Sequence, residues 1–305
     1  MLPSEYIKQT AFRAGFDLCG IARCRHLADN ERHFRQWLSE GRSGGLAYLE
    51  RNLDKRFDPA LLVDGARTVV VCAVSCKSAI SDGYPADARA KVASYGCAVD
   101  YHTTIKAMLK QMSEQIRAEY PEVSGRAFTD SAPLLEKQFA VEAGLGWIGR
   151  QSLLVTPRYG SFVLLGELVL DAEVDSYDSP LEGVGCGECR RCVEACPAGA
   201  VLPSRSIDAS LCIACATVEA QHRTTGSTAD SIDLHGWIFG CDECQSCCPY
   251  NRRALPHRLS AFDPLFDPRE MTTADWQQMT DEEFNKKFSS TPLSRSGLEL
   301  LKRNL

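Results

Sequence analysis

The 305-residue chain lacks any hydrophobic run near the roughly 20 residues needed to cross a bilayer. Its N-terminal stretch, MLPSEYIKQTAFRAG, has an early acidic residue and a helical pattern, which is not the pattern of an export signal. The chain also lacks a strong excess of either charge, because 40 Asp and Glu oppose 34 Lys and Arg for a net charge of -6. That balance neither requires nor excludes a nucleic-acid partner. We therefore expect a cytoplasmic protein without a membrane segment.

Cysteine, in contrast, is abundant, with 15 residues. The stretch from Cys186 to Pro197 reads CGECRRCVEACP, and its spacing, C-x2-C-x2-C-x3-C-P, is that of bacterial ferredoxins. In such a run, three thiolates bind one [4Fe–4S] cluster while the fourth, just before the proline, binds a different one. A chain with two clusters therefore needs four more cysteines.

A second cysteine run supplies them. Cys241, Cys244 and Cys248 form C-x2-C-x3-C-P, which ends at Pro249, and Cys212 lies between the two runs. The ferredoxin crossover then predicts two sets of four ligands. The first set is Cys186, Cys189, Cys192 and Cys248, and the second is Cys196, Cys212, Cys241 and Cys244.

Zinc and disulfide bonds are the alternative uses of these cysteines. Structural zinc takes four ligands and needs no x3-C-P continuation. Disulfides are typical of short secreted chains, whereas this chain is long enough for a large core. Cys215 and Cys247 lie beside ligands but off the pattern, and Cys97 also fits no motif, so we expect these three thiols to be inert.

The first half of the chain alternates predicted strands and helices. Residues 68–75, TVVVCAVS, form a β-branched run typical of a central buried strand. Residues 100–120 carry apolar side chains at helical spacing, and residues 133–143 begin with proline and are followed by Gly144, as a helix often is. A helix capped by Ser4, a strand at 17–22, a helix at 31–40 and a hairpin of 152–156 with 161–170 complete the prediction.

The stretch EVDSYDSPLEGVG is acidic and rich in turn residues, which favours a domain boundary there. We expect a first domain at 1–175, an iron–sulfur domain at 176–255 and a helical tail at 256–305. The overall fold class is expected to be α+β, although the order of the strands cannot be predicted.

Several of these motifs together resemble the epoxyqueuosine reductases, the QueG family. The resemblance is carried by YGCAVDYHTTIKAML, by FTDSAPLLEKQFAVEAGLGWIGRQSLLVTPRYGSFVLLGELVL, by the cysteine ladder and by GCDECQSCCPYN. It runs in one register from the N-terminus to about residue 304. One feature departs from the family, since IACATVE follows Cys212. We also expect the tail to lack the helical repeats that many members carry.

The resemblance implies a nitroreductase-like, cobalamin-binding first domain, as in the reductive dehalogenases, followed by a ferredoxin-like domain with two [4Fe–4S] clusters. It implies reduction of epoxyqueuosine to queuosine at the wobble position of tRNAs with GUN-type anticodons. Electrons would pass from the clusters to cobalamin. Asp130 falls on the catalytic acid of the family, and burial in the cofactor pocket is expected to raise its pKa.

The same register suggests which residues contact cobalamin. They are Arg56, Asp130, Arg150, Gln151, Ser152, Leu153, Leu154 and Asp242. For five of them an ordinary structural role is also open: a turn or cap for the two aspartates, a surface ion pair for Arg56, and strand core for Leu153 and Leu154. His102, in the DYH triplet, is expected to contact substrate or to be structural.

Two other functions stay open at this point. One is a cobalamin-dependent reductase of a small molecule, similar to a dehalogenase, and the other is an iron–sulfur electron carrier without catalysis. The epoxyqueuosine reductase that the resemblance implies is expected to need an external low-potential electron donor and to be a monomer. Basic residues for a tRNA surface are only weakly indicated, at Arg252, Arg253, His257, Arg258, Lys286, Lys287, Arg295, Lys302 and Arg303.

Overall fold

The computed structural model describes residues 1–222 and 232–305. Its strands are β1 (Leu18–Arg23), β2 (Thr68–Ser75), β3 (Lys91–Val92), β4 (Gly125–Phe128), β5 (Trp147–Ile148), β6 (Leu154–Val155), β7 (Val163–Leu170) and β8 (Trp237–Phe239). The helices are α1 (Ser4–Arg13), α2 (Ala28–Ser39), α3 (Leu53–Phe57), α4 (Tyr101–Glu119), α5 (Glu136–Glu142), α6 (Arg191–Ala195), α7 (Ile213–Val218), α8 (Glu243–Ser246), α9 (Pro249–Arg252), α10 (Thr273–Gln278), α11 (Asp281–Phe288) and α12 (Leu293–Arg303). Within the described ranges, no helix is both long and apolar enough to cross a membrane.

Four strands form the main sheet, in the order β1-β2-β7-β4. Every neighbouring pair is antiparallel, and Thr68 of β2 lies opposite Leu170 of β7. All eight residues of β2 are buried, as its β-branched sequence predicts. Antiparallel strands combined with separate helices make the fold α+β.

Each face of this sheet packs on different helices. Val70, Cys72 and Val74 point into a core shared with α1 and α4, whereas Val69 and Val71 point into a second core shared with α5. This alternation follows from the two-residue period of a strand. Glu167 of β7 has the same parity as Val169, so its carboxyl group enters the α5 side of the sheet.

Helix starts differ from the prediction in three places. Helix α2 begins at Ala28 instead of residue 31. Ser4 does not cap α1 with its side chain; Pro3 holds the cap position, and the Ser4 backbone N–H donates to Asp175. Helix α5 starts at Glu136 instead of residue 133, which leaves residues 129–135 as a loop. The long helix α4 forms as predicted, and the Asp100 carboxylate caps it by accepting the N–H of His102.

The predicted hairpin of β6 with β7 is wrong. β6 instead pairs with β5, with Trp147 opposite Val155, and a single bridge between Thr156 and Gly160 closes the turn before β7. Short strands of two residues are difficult to recognise from a sequence because they show too little periodicity.

The helical tail packs against residues from two earlier parts of the chain. Trp276, Phe288 and Leu301 share a core with Val92 and Phe239, the last residues of β3 and β8. β3 and β8 pair in parallel, which joins residues 91–92 to residues 237–239. Helix α12 is kinked at Gly297, whose φ is 75°. The three predicted domains thus meet in one core, and their boundaries stay a prediction.

Candidate active site and metal centres

The predicted cluster ligands lie on loops and short helices between residues 186 and 248. Cys192 lies in α6 and Cys244 in α8, while Cys212 and Cys248 directly precede α7 and α9. Pro249 is the first residue of α9. Proline suits that position because the N–H that it lacks would have no helical partner.

Four of these thiols lie near one another as a first group, although no set of three or more side chains in the described part of the chain is already arranged to hold a metal ion. Burial raises the pKa of Cys192, and the neighbouring thiols of Cys186, Cys248 and Cys189 raise it further. Burial also raises the pKa of Cys248, again with contributions from Cys186 and Cys189. Charges influence each other in this way only at short range in a protein. The last cysteine of the second run therefore lies among the first three of the first run.

The other four thiols form a second group. The pKa of Cys244 is raised well above its ordinary value by burial, then by Cys241 and Cys212, with Cys196 contributing as well. The pKa of Cys241 is raised by burial and by its neighbours, Cys212 among them. Cys196 accepts a hydrogen bond at its sulfur from the N–H of Ala200. The raised pKa values of these thiols are compatible with a metal site, because metal binding itself drives thiol deprotonation.

The remaining cysteines differ in their surroundings. Cys72 and Cys76 are buried in the sheet core, and Cys97 is buried between β3 and the tail. Cys247 lies beside the first group, since Cys192 and Cys248 contribute to raising its pKa to about 12, after burial. Cys215 packs in α7 with Leu46.

Asp130 lies in the loop between β4 and α5. Its φ is 57°, in the left-handed region, and its side chain is 60% exposed. The Tyr101 hydroxyl donates a hydrogen bond to Asp130 Oδ2 at 2.7 Å, and Nε2 of His102 lies 3.2 Å from the same oxygen. The loop thus presents a carboxyl group to the surface while the start of α4 holds one of its oxygens.

The pKa of Asp130 is lowered in this arrangement, whereas the expectation from the sequence is a raised pKa. The hydrogen bond from His102 is the main cause and exceeds the opposing effect of burial; Tyr101 and the charge of Arg295 add to it. The expectation concerned Asp130 beside bound cobalamin and stays a prediction; in the free chain, donors to the charged form outweigh burial.

His102 is held between two carboxyl groups. Its Nδ1 lies 2.9 Å from Asp100 Oδ1, and Nε2 faces Asp130. Arg295, from α12, donates to Asp100 Oδ2 at 2.8 Å. Burial raises the pKa of Asp100, but the hydrogen bonds from His102 and the charge of Arg295 outweigh it, so the net shift is downward. Arg295 therefore contacts this site, although about half of its side chain stays exposed.

The segment 150–154 has mixed surroundings. The Arg150 guanidinium binds the backbone carbonyls of Cys189 and Gly187, so it faces the first cysteine group. Gln151 is buried, and Ser152 has a φ of 59° with its hydroxyl on the carbonyl of Arg205. The carbonyl of Leu153 accepts the N–H of Gly149, and Leu154 is strand core.

Arg56 and Asp242 also differ from each other. Arg56 lies in α3 with its guanidinium 5.6 Å from the centre of the Phe34 ring, and burial lowers its pKa. Asp242 is buried, accepts the N–H of Ser94 at 2.7 Å and the amide of Gln245 at 3.2 Å, and has a pKa raised by burial. Asp242 therefore ties the second cysteine run to residue 94.

Two tyrosines that the sequence did not single out connect these parts. Burial raises the pKa of Tyr48, and both Asp130 and Arg56 lie close enough to influence it. Burial also raises the pKa of Tyr95, with Asp242 and Asp130 adding to the shift. Tyr95 packs edge-to-face on Tyr101 with ring centres 6.1 Å apart. Tyr48 and Tyr95 therefore place Asp130 in the neighbourhood of two candidate cofactor residues, Arg56 and Asp242.

Unpaired polar atoms provide a test of whether a large polar ligand fits here. Within the described part of the chain, Nε of Arg56 and Nε2 of Gln151 are buried without a hydrogen-bond partner. Such donors are costly unless a ligand or water satisfies them. Two surface cavities of about 680 and 360 Å³ lie elsewhere and are not lined by Asp130, Arg56 or residues 150–154. A ligand at the site would therefore cover an open face and would not fill either of these cavities.

Two groups of four thiols next to an α+β sheet define a two-cluster iron–sulfur oxidoreductase. In agreement, residues 185–251 match the family model described as "4Fe-4S double cluster binding domain", so the chain carries two [4Fe–4S] clusters. Residues 56–131 match the model "Epoxyqueuosine reductase QueG, DUF1730".

Full-length relatives agree with these matches. The chain is 39% identical over 306 residues to the epoxyqueuosine reductase of Cellulophaga algicola, covering 99% of this chain and 96% of the relative. It is 40% identical over 308 residues to that of Cyclobacterium marinum, covering 99% and 95%. The chain therefore belongs to the epoxyqueuosine reductase family and is an enzyme.

Solved structures show the same fold. The structure of epoxyqueuosine reductase from Streptococcus thermophilus superposes with a TM-score of 0.82 at 27% identity, covering 98% of this chain and 78% of that one. A Bacillus subtilis structure, in which the catalytic loop with its aspartate is swung out of the active site, has a TM-score of 0.85 at 24% identity, covering 98% and 79%. A catabolic reductive dehalogenase shares the fold more distantly, with a TM-score of 0.51 at 16% identity over 81% and 31% of the chains.

Proposed function

We propose that this enzyme reduces epoxyqueuosine to queuosine in tRNA and that Asp130 delivers a proton to the epoxide oxygen as it leaves. The observation that carries the proposal is the geometry of Asp130, an exposed carboxyl group with one oxygen held by Tyr101 and His102. Conversion of an epoxide to an alkene consumes two electrons and two protons, and the oxygen leaves as water. The site must therefore supply both.

Cobalamin is the cofactor that we propose for this face. The unpaired donors of Arg56 and Gln151 fit the amide and phosphate acceptors of such a ligand. We propose that Arg56, Ser152, Leu153 and Asp130 line its site as well. When bound, cobalamin supplies a cobalt centre that is reduced at low potential and can pass electrons to the substrate.

Arg150, Leu154 and Asp242 act indirectly in this proposal. Leu154 supports the segment from the core, Arg150 connects it to the first cysteine group, and Asp242 connects the second group to residue 94. We propose the eight cysteines of the two groups as the ligands of the two clusters. An external low-potential donor would reduce the clusters in the cytoplasm, and the enzyme would act as a monomer.

Asp130 has to bind a proton before it can donate one, although its pKa is lowered in the free enzyme. A substrate placed on the exposed carboxyl group would remove water from it and so favour its neutral form. The raised pKa of Tyr101, which results mainly from burial and next from the charge of Asp130, keeps its hydroxyl protonated as a hydrogen-bond donor. Asp100 orients the ring of His102 through Nδ1, which leaves Nε2 aimed at Asp130.

The proposed substrate is a nucleoside in an anticodon loop. Another epoxyqueuosine reductase, with a TM-score of 0.85 at 24% identity, has been solved with an epoxyqueuosine-modified tRNA stem loop. Bases in RNA loops are generally read after they are splayed out of the stack. We propose that residues 129–135, like the catalytic loop in the swung-out structure, move to admit such a base and then close over it.

The test is a comparison of Asp130→Asn with the native enzyme, both reconstituted anaerobically with iron, sulfide and cobalamin. Asparagine keeps the shape but has no acidic proton, so we expect turnover of epoxyqueuosine-containing tRNA to fall about a hundredfold or more, by nucleoside mass spectrometry. Iron and corrin contents should not change.

Asp29→Asn, at an exposed position in α2, is the matched control and should keep full turnover. Unchanged turnover in Asp130→Asn would remove the proposed role of Asp130. Failure of the native enzyme to convert any epoxyqueuosine-containing tRNA, with both cofactors loaded, would contradict the proposed substrate.

A further inference from the structure

Behind Asp130 lies a pair of carboxyl groups that the proposed reaction does not use. Glu136, in the first turn of α5, accepts a hydrogen bond from the backbone N–H of Asp130. Glu167, in the middle of β7, is completely buried, and its carboxyl group lies near enough to that of Glu136 for each to influence the pKa of the other. A chain of contacts thus runs from the sheet core through Glu136 to the catalytic loop.

The surroundings of Glu167 require a proton on this pair. Among the described residues, neither of its oxygens has a hydrogen-bond partner. Two buried carboxylates close together cannot both be ionised, because their repulsion and the loss of hydration are too large. Glu167, the fully buried member of the pair, therefore carries the proton, and Glu136 stays able to accept the hydrogen bond from Asp130.

The titratable groups around the pair agree with this distribution. Burial and then the charge of Asp130 raise the pKa of Glu136 to about 7, whereas the hydrogen bond from Glu167 and the charge of Lys137 oppose the shift. Burial, and then Glu136 and Asp130, raise the pKa of Glu167. Tyr101 from α4 lies near the pair and stays protonated because burial raises its pKa. Cys72 lies on the other face of β2, and burial raises its pKa as well.

The backbone of Asp130 shows why such a contact is needed. A non-glycine residue with a φ of 57° is in an unfavourable conformation and persists only when its surroundings hold it. Tyr101 and His102 hold the side chain, but a substrate must compete for the same carboxyl group. Glu136 is the contact that holds the backbone of the residue.

We propose that Glu136, supported by the proton of Glu167, is a positioning residue that keeps the loop of Asp130 in its closed, catalytic position. The proposal rests on the role of Asp130 proposed above. It predicts that removal of the acceptor at residue 136 releases the loop without disturbing the clusters, which are bound by a different part of the chain.

The test uses the reconstituted holoenzyme and hydrogen–deuterium exchange of a peptide that covers residues 128–135. In Glu136→Ala, the N–H of Asp130 loses its acceptor, so exchange of this peptide should become about tenfold faster. The kcat should fall about tenfold, while the KM for tRNA stays within about twofold, because the loop acts after binding. Glu136→Gln keeps an acceptor oxygen and should restore most of the protection and of the kcat.

Two further variants keep the test decisive. If Glu136→Ala does not fold, Glu136→Asp, which withdraws the carboxyl group by one methylene, should show the same faster exchange. Glu142→Gln, at the other end of α5, is the matched control and should change neither quantity. Native exchange and kcat in both Glu136→Ala and Glu136→Asp would overturn the proposal, as would an equal loss in Glu136→Gln.

Asp130→Asn separates this proposal from the proposed function. That variant keeps the backbone N–H and should lose turnover while the exchange of residues 128–135 stays slow. If it keeps turnover, the role of Asp130 fails; if it loses turnover while the Glu136 variants behave as the native enzyme, only the positioning role fails.

Discussion

Arg150 Nε donates a hydrogen bond to the backbone carbonyl of Cys189 at 2.8 Å, and a second nitrogen of the same guanidinium donates to Gly187 at 2.9 Å. These two hydrogen bonds join the segment proposed to line the cobalamin site to the loop that carries the first cysteine group. A planar guanidinium with several donors suits two carbonyls at once, whereas a lysine would reach one of them at a time.

We expect Arg150→Ala to loosen the loop around Cys189. The two carbonyls lose their donors, so the first cluster should be lost more readily, seen as a faster decay of its visible absorbance in the presence of an iron chelator. We expect the decay to become about tenfold faster, which is the size of effect that the loss of hydrogen bonds from a charged group produces.

Arg158→Ala is the matched control for Arg150→Ala. Arg158 is exposed and contacts the ring of Tyr159, away from both cysteine groups. Its removal should leave the decay rate unchanged. Equal decay rates in the native enzyme and in Arg150→Ala would show that the contact does not support the cluster.

The two neighbouring cysteines at the end of the second run should behave differently. Cys248→Ala removes a proposed ligand of the first cluster, so iron should fall from about eight to about four atoms per chain. Cys247→Ala should keep about eight, because Cys247 lies outside the ferredoxin pattern. Iron and sulfide analysis with electron paramagnetic resonance measures both. If iron is lost in Cys247→Ala but retained in full in Cys248→Ala, then Cys247 and not Cys248 is the ligand.

Stability should fall as the pH rises through neutrality. The folded-state pKa of Glu136, about 7, lies above its ordinary value of 4.5, so the native state binds more protons than the unfolded chain between these values. The stabilisation is therefore complete below about pH 4.5 and is lost as the pH rises through about 7. Asp100 and Asp130, whose pKa values are lowered, act in the opposite direction, but only as the pH falls below about 4.

Glu136→Gln tests this pH dependence. Glutamine has no proton to lose, so the fall in Tm between pH 5 and pH 8 should be smaller than in the native protein. Thermal melting followed by circular dichroism measures the difference. Glu142→Gln should keep the native slope, and an unchanged slope in Glu136→Gln would mean that Glu136 does not bind the extra proton.

Gly20, in β1, is required by close packing of the sheet on α5. A Cβ atom at this position would lie 2.0 Å from the backbone carbonyl oxygen of Ala143, which cannot move without displacing the end of the helix. We expect Gly20→Ala to lower the stability by about 1–3 kcal/mol. Urea unfolding of the apoprotein measures the change, and a variant as stable as the native chain would show that α5 can shift.

Local patterns of the chain were enough to predict much of this protein. The cysteine spacing indicated two clusters because cluster ligands follow a fixed pattern along the chain. The family model matched by residues 185–251 agrees with that prediction. The β-branched run of β2 and the apolar stripe of α4 predicted a buried strand and a long helix for the same reason. The motifs around Asp130 indicated the enzyme family.

Contacts between distant residues were decided only by the tertiary structure. The pKa of Asp130 is lowered because the chain places His102 and Tyr101 beside it, although burial alone predicts the opposite shift. The pairing of Glu136 with Glu167, the position of Arg295 against Asp100 and the pairing of β6 with β5 have no local signature. Periodicity and spacing report on neighbours along the chain, whereas the charge state of a group depends on neighbours in space, and these exist only after the chain has folded.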